Sequence, residues 1–271
     1  SIWALDRDDT DDADLGVRIL AALAADFSSC ARTRLALPSP ERAVDAARRS
    51  TPGRRAAVLA AAAYVANTRF DLEESQALGR EAFGDGITPG YPDPRGVCMA
   101  RGGWQVADPG AIPLIEAAVA QLETTNIMVA RLAGVITVLA RCYLMNQDFE
   151  PARRWAERAD DLARRSGNPS TIAQVSHHIG MLWARDEPAR AIAAYQTSIE
   201  MGRLVATDAT LPAALFQCAL LLARSGQRYA ALRDLRESIE HAERVNDRPI
   251  LEGALAFSIE ILTVLGAPED A

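Results

Sequence analysis

At 271 residues the chain is 49% apolar but only 6% aromatic, and its apolar share is dominated by Ala and Leu, a composition of close-packed helices and not of a β-sandwich. A formal charge of −7 and a pI near 5.1 argue against direct binding of nucleic acid, and all 29 basic residues are Arg, which excludes a phosphate-loop lysine, a Schiff-base lysine and a lysine general base. Cys30, Cys98, Cys142 and Cys218 stand far apart with no CxxC pair and read as buried reduced thiols; no signal peptide or apolar run of the ~18 residues of a membrane span is present, so the expected location is cytoplasmic, with no membrane partner.

In chain order, the acidic residues 6–14 can cap a helix beginning near Ala13, whose face is Leu15, Ile19, Leu20 and Leu23. Residues 28–40 hold turn formers and two prolines, and residues 40–49 form a short helix expected to close at Thr51-Pro52-Gly53. From Arg54 the pattern becomes regular, with a helix over 54–67, a turn over 68–71 and a second helix over 72–83. Turns then recur near Asp71, Asp108, Asp148, Asp186, Gln227 and Ala267, a period of about 40 that falls in the range of helical-hairpin solenoids. The second repeat carries Pro89, Pro92 and Pro94 and then Gly102-Gly103, which predict a kink or a widened groove there.

Residues 126–168 are the clearest repeat. Leu132, Ile136, Leu139, Ala140 and Tyr143 lie on one stripe of a first helix; Asp148 and Pro151 open a second, whose stripe is Phe149, Ala152, Trp155, Ala156 and Ala159. Arg164, Arg165 and Gly167 end it, because cations favour the negative end of a helix and glycine takes the left-handed conformation after it. The fourth repeat pairs Ile179, Gly180 and Trp183 with Ala191, Tyr195 and Ser198, and the fifth pairs Leu215, Ala219 and Leu222 with Ala231, Leu235 and Ser238. A sixth starts with Leu255, Ile259 and Leu262 and stops where its second helix should begin, so the chain reads as a piece of a longer protein. The expected architecture is all-α, a right-handed superhelix of antiparallel helical hairpins. Residues 1–53 form an N-terminal helical region, either a degenerate hairpin or a junction with a missing upstream module. Residues 54–271 hold the repeats, the last truncated.

Leu139-Ala140 with Tyr143, followed by Ala152, Ala156 and Ala159, resembles the tetratricopeptide pattern, in which a large–small pair and an aromatic on the first helix pack against small residues on the second. Ile179-Gly180 with Trp183, then Ala191, Tyr195 and Ser198, resembles it again. The resemblance covers roughly residues 54–271, with repeats longer than the family's usual ~34 residues. The closing stretch SIEHAERVNDRPILEGALAFSIEILTVLGAPEDA is similar to the helical-repeat segment of large actinobacterial signalling ATPases of the LuxR-like and AfsR-like types. The opening IWALDRDD followed by LGVRILAALA is similar to the point where their nucleotide-binding module hands over to the repeats. That similarity implies a parent with an adjacent ATPase module and an output domain elsewhere in the chain.

No residue pattern carries catalysis. His177 and His178 are helix neighbours that point about 100° apart and lack a third ligand; Glu73-Glu74 and Asp160-Asp161 likewise face different ways; Ser28-Ser29 has no GxSxG context, and Gly84-Asp85-Gly86 precedes no strand. No cofactor is implied. What remains is the groove lined by first helices, where helical phase places Thr137, Arg141, Gln174, His177, Met181, Arg185, Phe216, Leu220, Arg224 and Glu260. Arg141, Arg185 and Arg224 come from successive repeats and have the forked geometry that holds a carboxylate or phosphate. The expected function is non-catalytic: a protein, peptide or small effector bound in the groove of a signalling or transcriptional regulator. The alternative is a scaffold for self-association or for packing against the ATPase module.

Overall fold

Among the described residues, proline in the first turn opens several helices, as at Pro52, Pro169 and Pro188, and a left-handed residue, Gln147, Gly167 or Gly226, follows others. The computed structural model describes residues 15–19, 40–68, 72–84, 111–124, 129–205, 210–245 and 247–265, and every regular element among them is an α-helix. The turns expected near Asp71, Asp108 and Ala267, the kink at Pro89 to Gly103, the acidic segment 6–14, Ser28-Ser29, Asp85-Gly86, Cys30 and Cys98 lie outside the described residues.

By internal contacts the chain divides into residues 1–162 and 163–271. The first unit holds α1 (Pro40–Arg48), α2 (Pro52–Thr68), α3 (Leu72–Gly84), α4 (Ala111–Glu123), α5 (Val129–Met145) and most of α6 (Phe149–Ser166). Thr51-Pro52-Gly53 was expected to close α1, but it opens α2: Pro52 has no N–H to lose in the first turn, and the Thr51 carbonyl accepts from Arg55 N at 2.9 Å. Val44 of α1 joins Ala56, Leu59, Ala62 and Ala63 of α2 and Leu78 and Ala82 of α3 in one buried cluster, where the alanines let the helices approach closely. Between α5 and α6 the turn is made without glycine, since Gln147 takes φ 63° and Asp148 N donates to Tyr143 O at 2.9 Å. The Tyr143 hydroxyl donates to Glu116 of α4 at 2.6 Å; burial first, then this bond, pushes it up to about 12.

The second unit holds α7 (Pro169–Trp183), α8 (Pro188–Leu204), α9 (Thr210–Arg224), α10 (Arg228–Val245) and α11 (Arg248–Leu265). Gly167 turns the chain at φ 63° as expected, and Asn168 caps α7 by accepting from Ser170 N and Thr171 N. Each hairpin carries the same buried polar bond: Ser198 Oγ of α8 donates to Ala173 O of α7, and Ser238 Oγ of α10 donates to Pro212 O of α9, both at 2.8 Å. α8 packs against both α7 and α9, and α10 against both α9 and α11, so each second helix is shared by two first helices.

Ion pairs recur on the outer surface within each unit. Arg48 of α1 makes a forked pair with Glu81 of α3 at 3.0 and 2.8 Å, Arg158 of α6 pairs with Glu123 of α4, and Arg203 of α8 makes a fork with Glu237 of α10 at 2.9 and 2.6 Å. Each joins a helix to the one two elements away.

Two predictions follow from this packing. A Cβ on Gly180 would stand 2.5 Å from the Tyr195 ring, which is 1% exposed and has nowhere to move. Gly→Ala in a helix ordinarily stabilises by ~0.5–1 kcal/mol, whereas Gly180→Ala is expected to destabilise by about 1–3 kcal/mol through overpacking; denaturant unfolding reads the sign directly. The second concerns pH. The hydrogen bonds from Arg203 hold the Glu237 carboxyl below its ordinary 4.5, so its contribution to stability is present above 4.5 and fades as pH falls through the depressed value. Burial, then Arg244, lowers His241 from its ordinary 6.5, so charging it opposes folding as pH falls below 6.5. Stability should therefore fall in two acid steps in a pH series of unfolding midpoints; His241→Gln should remove the upper step and Glu237→Gln the lower.

Candidate functional site

The buried stripes of the first helices in the second unit set a common register. Ser176, Leu215 and Ala254 are buried on α7, α9 and α11, each 39 residues after the last; Trp183, Leu222 and Ile261 repeat this one heptad further on. Positions at the same step therefore stand at the same place on successive helices.

Five residues past the first buried set, the step falls on Met181, Leu220 and Ile259, and one residue past it on His177, Phe216 and Leu255. Met181, Leu220, His177 and Phe216 are half-exposed, Leu255 is 46% exposed and Ile259 49%. These positions are four apart on each helix and share one open face, which α8 and α10 leave uncovered. Apart from the His177 imidazole, the side chains at these positions are apolar. Leu255 and Ile259 were expected on the buried stripe of the sixth repeat; Ala254 and Ile261 occupy it instead. α11 is apolar on more than one side, so its own periodicity admits several phases, and only the 39-residue step from Leu215 and Leu222 selects the right one.

Of the groove residues expected from sequence, Gln174, His177 and Met181 lie together on the open face of α7, and Phe216 and Leu220 on that of α9. The His177 ring lies 5.8 Å from Tyr195 and 5.4 Å from His178, and His178 Nδ1 is engaged with Gln174 O at 2.8 Å, so the histidine pair is tied into its own hairpin. Arg185 and Arg224 keep the 39-residue step and are exposed beside the hairpin turns, Arg185 within 3.9 Å of Asp186. Arg141 belongs to the first unit, one turn before the end of α5, where burial lowers its pKa. Its place within its helix thus differs from that of Arg185 and Arg224. Glu260 is exposed but shares its register with the buried Leu182 and Leu221, on the flank of α11. Thr137 is not a groove residue: it is 3% exposed, and its hydroxyl donates back to Ala133 O at 2.8 Å. A buried hydroxyl that satisfies itself on its own helix is not distinguished from an open-face hydroxyl by helical phase alone.

Among the described residues no group of three or more His, Cys, Asp or Glu is placed to hold a metal ion, and no helix is long and apolar enough to cross a membrane. Cys142 and Cys218 are buried and form no disulfide, and burial, then Asp234, pushes Cys218 up to about 12.

No protein-family model and no curated protein sequence matches the chain. Solved structures do. NprR in complex with its cognate peptide NprX is similar at a TM-score of 0.63 and 11% identity, over 92% of this chain and 78% of that one. Rap protein complexed with Competence and Sporulation Factor is similar at 0.53 and 13%, over 88% and 74%. BtubC (BKLC) from P. vanneervenii is similar at 0.50 and 18%, over 86% and 91%. The chain has the tetratricopeptide-like α-solenoid fold. At these identities the likeness concerns the fold, and the open face described above is read from this chain's own residues.

The Phe216 ring lies 3.1 Å from where a Cβ on Gly253 would stand, so the ring is wedged between α9 and α11. Phe216→Ala is expected to destabilise by about 1–3 kcal/mol, less than a fully buried Phe, and to speed amide exchange selectively over residues 248–265. Unchanged exchange there would show that the ring does not hold α11 in place.

Proposed function

We propose that the chain is a non-catalytic interaction domain that binds a peptide or a segment of a partner protein on the first helices of its repeats. The observation that carries this reading is the open face of α7, α9 and α11, where apolar side chains stand half-exposed in one register while α8 and α10 cover the opposite sides. The fold it shares with NprR, which was crystallised with a cognate peptide, supports the same reading. The similarity of residues 238–271 to signalling ATPases supports a parent that is a multidomain cytoplasmic signalling or transcriptional regulator. In that parent residues 1–53 join an adjacent ATPase module and residues 54–271 form the repeat array. Binding would shift the balance between arrangements of the repeats, and the ATPase module would respond to that shift. On the second unit Arg185, Arg224 and Glu260 supply charged contacts at the edges of the bound segment.

Thermal unfolding of the chain against panels of peptides, nucleotides and small metabolites tests the proposal, because a ligand of the native state alone stabilises it by roughly 2.7 kcal/mol at a hundredfold excess over Kd. A peptide is expected to raise the midpoint and nucleotides to leave it unchanged, with Arg185→Ala weakening the response to acidic peptides. If no peptide raises it, while joining the chain to its upstream module does, the chain is a scaffold without a ligand of its own.

A further inference from the structure

We propose that the chain forms a two-fold symmetric dimer in which α11 of one copy packs antiparallel against α11 of the other. The inference is independent of the peptide-binding reading. In the second unit α8 packs against α7 and α10 against α9, whereas among the described residues no helix takes the corresponding place on α11. What α11 presents there is apolar: Leu251, Ser258 and Leu262 are half-exposed, Leu255 is 46% exposed, and the stripe they form carries no charge. Spaced four, three and four residues apart, they share one side of the helix.

The two hairpins show what a helix needs in order to pack there. On the first helix a small residue admits a large one, as Gly180 of α7 admits the Tyr195 ring of α8. On the second helix a serine three residues after the large one donates to the first-helix carbonyl seven residues before the small one. Ser198 does so to Ala173 O, and Ser238 to Pro212 O. The 39-residue step carries Gly180 through Ala219 to Ser258, and Ala173 through Pro212 to Leu251, so α11 holds the first-helix half of this contact. Leu255 with Ser258 also repeats Tyr195 with Ser198 and Leu235 with Ser238, so the same stripe holds the second-helix half. A helix with both halves on one side is complementary to itself.

A two-fold axis seats Leu255 of each copy on Ser258 of the other and brings Ser258 to the other's Leu251 carbonyl, in the antiparallel direction that the hairpins already use. The hydroxyls on this part of α11 are prepared for burial. Ser258 Oγ donates to Ala254 O at 2.7 Å and Thr263 Oγ1 to Ile259 O at 2.8 Å, so covering them leaves neither without a partner. The dimer uses Leu255 and none of the open-face residues of α7 and α9.

Sedimentation equilibrium of the full chain over a concentration series tests the dimer. The parent is expected to associate, and Leu255→Glu and Ser258→Arg, each alone, to raise the dissociation constant roughly a hundredfold, because the symmetry removes the contact twice at about tenfold each time. Mixing the two variants should restore a dimer: one contact then pairs the introduced acid with the introduced base, and the other is that of the parent. Leu204→Glu, at an apolar residue 70% exposed at the end of α8, should leave association unchanged. A parent that stays monomeric at ~100 μM, or a dimer that either α11 variant leaves intact, would overturn the inference. So would variants that keep the parent's helical circular dichroism and yet fail to pair when mixed.

Discussion

At Gly180 the ring of Tyr195 fills the space that any other side chain would occupy. This missing side chain brings α7 and α8 close enough for Ser198 to reach across to the carbonyl of Ala173, a buried bond that fixes where along α7 its partner sits. The next hairpin repeats the arrangement with Ala219 on α9 and with Ser238 on Pro212 O. Close approach, set by small residues, determines the stagger of each hairpin, and each second helix then passes that stagger on to the next first helix it touches.

The open face is a consequence of this stacking. Because α7, α9 and α11 are held in register by what they bury, whatever they do not bury also comes into register. Met181, Leu220 and Ile259 are scattered in the sequence and become a row only when the repeats stack. Exposed ion pairs tie alternate helices together within each unit without entering the core, Arg203 of α8 with Glu237 of α10 in the second and Arg48 of α1 with Glu81 of α3 in the first. Such partly exposed pairs contribute little individually, typically ~0–1 kcal/mol, and their value lies in favouring one orientation of neighbouring helices.

Burial and hydrogen bonding account for the displaced protonation equilibria in both units. Tyr143 is held to Glu116, Cys218 sits among apolar neighbours with the buried Asp234 nearby, and His241 is lowered at the edge of α10. In each case the shift follows from packing a polar group into a helical stack, and in each it disfavours the charged form.

Much of the architecture was legible in the residues themselves. The turns at Asp148, Asp186 and Gln227, the left-handed Gly167, the proline-led helices and the pairing of Gly180 and Trp183 with Ala191, Tyr195 and Ser198 all rest on local chemistry: proline lacks an N–H, glycine lacks a Cβ, and apolar residues recur every three or four positions. Gln174, His177, Met181 and Phe216, which the same helical phase assigned to the groove, are half-exposed. Thr137, Leu255 and Ile259 are not where phase put them, because phase says which residues share a side of a helix but not which side its neighbours cover. On α11, where apolar residues surround the axis, only packing against α9 and α10 decides that Ala254 and Ile261 go inside while Leu255 and Ile259 stay out. The sequence by itself determined the helices, their ends and their repeat, since these depend on contacts a few residues apart; which side chains the stack leaves open was decided only by tertiary structure, since it depends on helices some 39 residues away.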